Sequence, residues 1–182
     1  SQEDLLRAGL LHDIGKIGIP LRILDKNGTL TNEEYEVIKG HPSIGAKILS
    51  PIQAYTEIIP IIEQHHERYD GKGYPFGLDK ERIDLLSHIL ALADSYDAMV
   101  SDRPYRKGFA VDTAVQIIRE EAGRQFAPQV VEVFLKIGPP LAVRESSEPD
   151  EARSIVQLGQ GFFAEDLPLH VQTTMTAGGN SL

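Results

Sequence analysis

The stretch LLRAGLLHDIGK, residues 5–16, joins a helical run of leucines to a short polar cluster. The apolar spacing predicts a helix whose buried face is formed by Leu5, Leu6, Leu10 and Leu11. His12 and Asp13 follow, and their side chains are good ligands for a divalent metal. Neighbouring residues on a helix point about 100° apart, so the pair would hold two adjacent ions with Asp13 as the bridge. A His-Asp pair alone is more often a surface feature, so this hypothesis depends on further ligands downstream.

The composition indicates one domain with a buried core and argues against a surface that binds polyanions. The chain has 182 residues, 41% of them hydrophobic, and a net charge of −9. A negative field repels nucleic acid polymers and acidic membranes, so any phosphate must meet a local basic pocket. The chain has no cysteine, which leaves His, carboxylate and water to bind a metal.

The hydropathy and the start of the sequence predict where in the cell the protein is located. No apolar run reaches the roughly 20 residues of a membrane span, and no signal peptide opens the chain. We therefore expect a cytoplasmic bacterial protein. Because the sequence enters a functional helix almost directly after Ser1, we also expect it to be part of a longer protein.

Helical spacing recurs up to residue 137 and predicts an all-α fold. The predicted helices after the first cover residues 31–49 with a kink or restart at Pro42, 58–67 with a kink at Pro60, 83–100, 111–121 and 128–137. Residues 69–78 contain too much Gly and Pro for a helix and predict an ordered loop. We divide the chain into a domain at 1–138 and a linker and tail at 139–182, of unassigned role, where residues 154–158 and 167–174 suit short strands.

Further potential metal ligands occur on several of these helices: His41, His65, His66, Asp94 and Asp97. Each alone has an ordinary explanation as a helix-end imidazole, a solvated helix end or an exposed acidic face. Their combination with the His-Asp pair is what a two-metal hydrolase requires, since such a site needs imidazoles and bridging carboxylates. His88 has no carboxylate in its helical register, and we predict a core or surface histidine there.

Three basic residues suit a phosphate ligand at the same site. Lys16 lies one helical turn after His12, where its ammonium can neutralise a phosphate oxygen or protonate a leaving oxygen. Arg103 and Arg106 can clamp a phosphodiester bidentately. Simple solvation at the surface is the competing explanation for all three.

Six segments together resemble one known family. They are His12-Asp13-Ile14-Gly15-Lys16, His41-Pro42, His65-His66-Glu67, Asp70-Gly71-Lys72-Gly73-Tyr74-Pro75-Phe76-Gly77-Leu78, Ala93-Asp94-Ser95-Tyr96-Asp97-Ala98 and Asp102-Arg103-Pro104-Tyr105-Arg106. This set resembles the HD-GYP subgroup of the HD-domain metal-dependent phosphohydrolases, over about residues 3–137. The Gly-Tyr-Pro loop with its flanks is highly specific, whereas the His-Asp pair alone is not.

The resemblance implies an HD-domain helical bundle that hydrolyses the bacterial second messenger cyclic di-GMP to linear pGpG and, as in many family members, on to GMP; one-step and two-step hydrolysis both stay open. It implies two or three divalent metal ions, iron or manganese with zinc or nickel as alternatives, and the ligands His12, Asp13, His41, His65, His66 and Asp94. Asp13 would bridge two ions, and Lys16 would assist at the scissile phosphate. Arg103 and Arg106 would contact phosphates or guanine, while Tyr74 would shape the ligand pocket. The implied partners are a regulatory domain of the intact chain and a diguanylate cyclase domain that docks on the loop.

The chain departs from the family pattern in a few places. Family members carry a further metal-ligand His on a helix upstream of His12, so either that helix is missing from this sequence or the first metal site is incomplete. Phe126-Ala127-Pro128 stands where the family often has Phe-Asp-Pro, and His88 where it often has Arg. We expect the last two differences to affect local capping or surface contacts.

Two alternative functions remain open from the sequence. The first is a signalling module that binds the nucleotide or a partner through residues 69–78 without useful catalysis, as an incomplete metal site would imply. The second is hydrolysis of another cyclic dinucleotide, such as a mixed guanine and adenine one, because no residue here reads the base unambiguously.

Overall fold

The structure, a computed structural model, describes residues 1–26, 28–102 and 107–139. These residues form α-helices and short 3-10 helices and no sheet, so the predicted all-α bundle is confirmed for this part of the chain. The elements are α1 (Gln2–Leu11), a 3-10 helix (Ile14–Gly18), α2 (Leu21–Leu24), α3 (Asn32–Ile38), α4 (His41–Leu49), a 3-10 helix (Gln53–Ile58), α5 (Ile59–Gln64), a 3-10 helix (Lys80–Arg82), α6 (Leu85–Val100), α7 (Val111–Glu120) and α8 (Pro128–Ile137).

Prolines lie in the first turn of three of these helices, α4, α5 and α8. Pro42 lies in the first turn of α4, as the predicted restart requires, and Pro60 lies in the first turn of α5. The predicted kink at Pro60 is therefore wrong. The first N–H groups of a helix have no partner within the helix, so a proline costs no hydrogen bond there.

The buried face of α1 is narrower than its leucines predict. Ala8 is fully buried and Leu5 and Leu11 partly so, but Leu6 and Leu10 are 66% and 78% exposed. The four leucines are spread over more of the helix circumference than one buried face can include. The helices α5 and α6 cover only the side of α1 that carries Ala8, so Leu6 and Leu10 remain exposed. The prediction that all four leucines are buried is wrong for Leu6 and Leu10.

The core consists of three clusters that meet around α6 and the 3-10 helix at Ile14–Gly18. One joins α6, α7 and α8 around the fully buried Met99 and Ile118. A second joins α1, α5 and α6 around Ala8 and Ile62, and a third joins the segments near α2 and α3. Full burial of a side chain such as Ile62 contributes roughly 1.5–3 kcal/mol. This packing brings the ends of α1, α4 and α5 together against α6.

The predicted tail lies almost entirely outside the described residues. The structure describes the end of α8 and its Gly138 cap but none of residues 140–182, so the boundary at 138 and the tail strands stay predictions. Within the described residues, no helix combines the length and the apolar character that crossing a membrane would need.

Candidate metal centre

The six predicted metal ligands lie together, at element ends and on one helix face. His12 and Asp13 lie in the turn after α1, and His41 is the first residue of α4. His65 and His66 follow α5, and Asp94 lies on α6. The prediction that the His-Asp pair lies within a helix is wrong, because α1 ends at Leu11. Leaving the helix lets both side chains turn toward the same point.

Short contacts link this group, called the ligand cluster below. His12 Nε2 lies 3.4 Å from Asp13 Oδ2 and 3.5 Å from Asp94 Oδ1. His41 Nε2 lies 3.4 Å from Asp13 Oδ1 and also 3.4 Å from His65 Nε2. The rings of His65 and His66 are 4.0 Å apart between centroids. Two overlapping sets of possible ligand atoms result, each within 4.8 Å: one of His41, His65 and His66, and one of His12, Asp13 and His65.

Three imidazoles have their orientation fixed by backbone carbonyls. The Nδ1 atom lies 2.7 Å from the Gly9 carbonyl oxygen in His12, 2.8 Å from that of Ile38 in His41 and 2.5 Å from that of Ile62 in His65. A carbonyl oxygen can only accept, so each Nδ1 carries a hydrogen and donates it. The Nε2 atoms of all three rings therefore point into the cluster, as in metal-binding histidines.

The cluster contains polar atoms that a bound cation would satisfy. His41 and His65 face each other through Nε2 lone pairs at 3.4 Å, an arrangement that is repulsive when both rings are neutral. His12 Nε2 is buried without a hydrogen-bond partner among the described residues. Imidazole and carboxylate suit divalent transition metals. These residues therefore fit a divalent metal site, and the metal dependence expected of the family agrees with them.

Burial keeps the inner imidazoles neutral. Desolvation lowers the pKa of His41 to about 4 and that of His65 to about 3, and it holds the pKa of His66 well below its ordinary value. At pH 7 all three rings therefore keep a lone pair for a metal.

His12 and Asp13 behave as an ion pair when no metal is bound. Burial lowers the pKa of His12, but contacts with Asp13 and Asp94 outweigh it and raise this pKa to about 10. Burial opposes the charge on Asp13 too, but His12 and Lys16 hold its pKa below the ordinary value. A metal would displace the proton from His12 Nε2, as metals do at protonated ligands.

Lys16 extends into the same centre. Its ammonium lies 2.7 Å from Asp13 Oδ2, and the residue is only 5% exposed. The sequence predicted that Lys16, one helical turn after His12, points at the same site; in the structure it lies on a 3-10 helix and its ammonium contacts Asp13.

Gly15 lets this segment approach α4. A Cβ atom at residue 15 would lie 1.9 Å from the carbonyl oxygen of His41 and 2.5 Å from Gly45 N. Only a glycine permits such backbone contact. The approach sets the distance between Asp13 and His41.

The Gly-Tyr-Pro loop folds over His66. The Tyr74 ring stacks on the His66 ring at 4.7 Å between centroids and 23° between planes, and Tyr74 N donates to the His66 carbonyl at 3.2 Å. The edge of Tyr35 from α3 meets Tyr74 at 6.4 Å. Tyr74 therefore lies beside the ligand cluster, while Tyr35 is a neighbour that no motif signalled.

Other predicted residues fall in different places. Arg103 and Arg106 lie outside the described residues. Asp97 is exposed and accepts a hydrogen bond from Ser101 Oγ, so it belongs to an acidic surface. His88 is buried beside the Tyr69 ring, away from the ligand cluster, so of the two predicted alternatives, a core or a surface histidine, the first is observed.

Two features of the centre escaped the sequence reasoning. Glu67 is 2% exposed and contacts the loop backbone. Arg68 binds Asp70 at 2.9 and 3.0 Å and the Gln125 side chain at 3.2 Å, which ties the start of the loop to the turn before α8. Only the position of Glu67 within the motif hinted at a role.

Comparison with known proteins places the chain in a family. The HD domain family matches residues 1–130. This chain belongs to the HD domain family. The resemblance to its HD-GYP subgroup, found in the motifs, is confirmed by this match and by relatives that are named cyclic di-GMP phosphodiesterases.

The relatives of this HD domain are longer proteins. The chain is 46% identical over 151 residues to a cyclic di-GMP phosphodiesterase of Thermotoga maritima, a match that covers 81% of this chain and 40% of the relative. It is 37% identical over 125 residues to the 3′3′-cGAMP-specific phosphodiesterase 3 of Vibrio cholerae, covering 69% and 27% respectively. A solved cyclic GMP-AMP specific phosphodiesterase of Vibrio cholerae shares the fold, with a TM-score of 0.58 and 21% identity over 96% of this chain and 48% of that one. The chain thus spans less than half the length of these relatives.

Proposed function

We propose that this chain is the catalytic part of a metal-dependent phosphodiesterase that hydrolyses cyclic di-GMP to pGpG and onward to GMP in bacterial second-messenger signalling. The observation that carries the proposal is the meeting of six metal-ligand side chains from four parts of the fold beside a buried lysine. The name of the Thermotoga maritima relative supports the substrate. A cytoplasmic location in a bacterium is part of the same proposal, and the sources of the relatives support its bacterial part.

The ligand cluster would hold two or three divalent ions, iron or manganese by preference. The ligands would be His12, Asp13, His41, His65, His66 and Asp94. Metals bound there would activate a water molecule and offset charge on the phosphate. The donor set of imidazole and carboxylate without thiolate suits iron and manganese, as it also suits zinc and nickel, so the preference for iron or manganese comes from the family resemblance.

Asp13 has the geometry of the central ligand. Its Oδ1 atom lies 3.4 Å from His41, while its Oδ2 atom lies 3.4 Å from His12 and 2.7 Å from Lys16. One oxygen therefore faces each of the two sets of imidazoles. This division supports the proposal that Asp13 bridges two ions and takes part in catalysis.

Lys16 would stabilise the charge that develops as the phosphodiester bond breaks. Its ammonium is shielded from water, where electrostatic interactions are stronger than in bulk solvent. Asp13 holds the ammonium in place before substrate arrives, so little reorganisation is needed.

The substrate would be bound next to the cluster by Tyr74, Arg103 and Arg106. Tyr74 has an aromatic ring beside His66, and such rings can stack on a nucleobase. The two arginines carry planar guanidinium groups that match phosphate oxygens in pairs. Their role rests on the motif match alone.

The test is hydrolysis of cyclic di-GMP in manganese or ferrous buffer by the wild type and by variants His12→Ala and Asp13→Ala. We expect turnover and metal content both to fall steeply, because each change removes a ligand. His88→Gln is a matched control, since it alters a buried histidine outside the cluster. Undiminished turnover in both alanine variants would refute the assignment. Nucleotide binding by calorimetry without any product would favour the binding module instead.

A second candidate substrate is a mixed guanine and adenine cyclic dinucleotide. The 37% identical Vibrio cholerae relative, named for 3′3′-cGAMP, favours it. Hydrolysis rates on the two dinucleotides, measured with the same metal-loaded protein, would decide between the two substrates. A higher kcat/KM on the mixed dinucleotide would make it, and not cyclic di-GMP, the proposed substrate.

A regulatory domain of the intact protein, or a diguanylate cyclase domain that docks on the loop, would be the macromolecular partner. The greater length of the relatives supports the former. The exposed ring of Phe76 on the loop, 55% accessible, supports the latter. Loss of co-purification with a cyclase domain in Phe76→Ser would support the docking site, and unchanged co-purification would contradict it.

A further inference from the structure

Glu67 is a buried carboxylate between the metal-ligand histidines and the Gly-Tyr-Pro loop. Its residue is 2% exposed. Oε1 accepts a hydrogen bond from Phe76 N at 2.7 Å, and Oε2 accepts one from Leu78 N at 2.9 Å. No Lys, Arg or His forms an ion pair with Glu67 among the described residues. Because burying an unpaired carboxylate is expensive, the two backbone N–H groups are the interactions that make its position tolerable.

The loop returns closely along the backbone from which Glu67 projects. A Cβ atom at Gly73 would lie 2.3 Å from Arg68 N and 2.5 Å from Glu67 Cα. The next residue, Tyr74, donates its N–H to the carbonyl of His66 and stacks on the ring of His66. The backbone of 66–68 therefore lies directly against the loop at 73–74.

Two side chains hold the loop in place, Asp70 at its beginning and Glu67 at its end. Asp70 accepts from Lys72 N at 3.2 Å and pairs with Arg68, so it acts at the beginning. Glu67 binds Phe76 and Leu78 at the end. Between these points lies Tyr74, whose ring position depends on both ends being held.

We propose that Glu67 is a positioning residue that holds the loop at residues 76–78 against the metal-ligand histidines and so keeps Tyr74 over His66. This inference rests on the proposed function, because it assigns the loop to the substrate pocket. Both hydrogen bonds of Glu67 go to the loop backbone. Its effect passes through the loop backbone to the wall of the pocket.

A carboxylate is needed because both of its oxygens are used as acceptors. A glutamine at residue 67 has the same shape but only one acceptor, and its NH2 group would face one of the two backbone N–H groups. An aspartate keeps both acceptors but shortens the reach by about 1.5 Å, one carbon–carbon bond. The two variants thus separate acceptor number from reach.

The experiment compares Glu67→Gln with Glu81→Gln in the metal-loaded protein. Glu81 has a 72% exposed side chain near the same loop, so its change from carboxylate to amide is a matched control. The measurements are amide hydrogen exchange at Phe76 and Leu78, metal content per chain, and kcat and KM on cyclic di-GMP. For Glu67→Gln we expect faster exchange at one or both amides, wild-type metal content and a loss of kcat/KM of about 10- to 100-fold, as for residues that orient a site indirectly.

The split between KM and kcat distinguishes positioning from a structural role. A misplaced pocket wall raises KM, whereas a merely destabilised protein has fewer active molecules and a lower kcat at unchanged KM. Wild-type exchange at both amides in Glu67→Gln, or faster exchange with unchanged kcat/KM, would overturn the proposal. If Glu67→Gln does not fold, Glu67→Asp is measured instead. Because its carboxylate is about 1.5 Å short of the two N–H groups, full protection of both amides together with unchanged kcat/KM in Glu67→Asp would overturn the proposal. If the wild type hydrolyses no cyclic di-GMP, the proposed function fails, while the exchange data still decide whether Glu67 holds the loop.

Discussion

Replacing Gly15 with alanine tests whether the fold and the ligand cluster depend on the same close approach. The added Cβ atom would lie 1.9 Å from the His41 carbonyl oxygen and 2.5 Å from Gly45 N. Because Cβ is fixed to the backbone and both neighbours are backbone atoms, the 3-10 helix must move away from α4. Overpacking of this kind costs about 1–3 kcal/mol, which lowers Tm by roughly 2–12 °C for a protein of this size.

The displacement should also disrupt the ligand cluster. Asp13 and Lys16 lie on the segment that moves, whereas His41 lies on the helix that stays. The 3.4 Å contact between Asp13 and His41 must lengthen, so we expect Gly15→Ala to bind less metal and to lose activity.

Gly45→Ala is the matched control on the facing helix. Its Cβ atom would meet Gly15 N at 3.4 Å and the side chains of Ile14 and Ile62 at 3.5 Å, which is ordinary contact. Since alanine in a helix interior is more favourable than glycine by roughly 0.5–1 kcal/mol, we expect an unchanged or higher Tm. Thermal unfolding followed by circular dichroism, with a metal count on the same samples, measures both variants. Equal damage by the two changes, or a wild-type Tm and metal content in Gly15→Ala, would refute the reasoning.

Three further predictions use the same measurements. Added Mn²⁺ should raise the Tm of the metal-free protein. When the free Mn²⁺ concentration is a hundred times Kd, the added stability is about 2.7 kcal/mol, and the same concentration should raise the Tm of His12→Ala by less. An equal rise in Tm would contradict the ligand assignment. Burial lowers the pKa of His88 in the folded protein. Below about pH 6.5 the His88 side chain therefore binds a proton in the unfolded chain more readily than in the folded protein, and the folded state loses stability as the pH falls. Between pH 7 and 5 the Tm should drop less in His88→Gln, which lacks this group, than in the wild type. His41→Asn keeps a donor for the Ile38 carbonyl and His41→Leu does not, although both lose the proposed metal ligand. In chelator the leucine variant should be less stable by about 0.5–1.5 kcal/mol, and equal unfolding midpoints would disprove the role of that hydrogen bond.

Patterns of local spacing predicted most of the fold. The helices at 111–121 and 128–137 appear within one residue of their predicted bounds, because their apolar faces pack as amphipathic helices normally do. The exposure of Leu6 and Leu10 could not be predicted, since hydrophobicity does not reveal which neighbours will cover a helix. The break between α3 and α4 at residues 39–40 had only Pro42 as a signal.

The ligand cluster was predictable as a set of residues but not as a geometry. The histidines and aspartates were recognisable because their motifs occur together, and the structure brings all six into one group. The carbonyl partners at Gly9, Ile38 and Ile62 could not be read from side-chain types, because backbone carbonyls are present at every position. Glu67 was equally hidden, since its partners are backbone N–H groups.

The hydrogen bonds from the imidazoles to the backbone explain why the cluster and the fold cannot be separated. The carbonyls of Gly9, Ile38 and Ile62 belong to the last turns of α1, α3 and α5, where helix carbonyls lack partners within the helix. A ligand imidazole supplies each partner, so one hydrogen bond both satisfies the helix end and aims Nε2. Any shift of one of these helices along its axis must turn a ligand away from the centre. A metal that binds all three rings therefore also fixes the three helix ends relative to one another, whereas α7 and α8, which pack through apolar contacts and carry none of the six ligands, should be little affected by its removal.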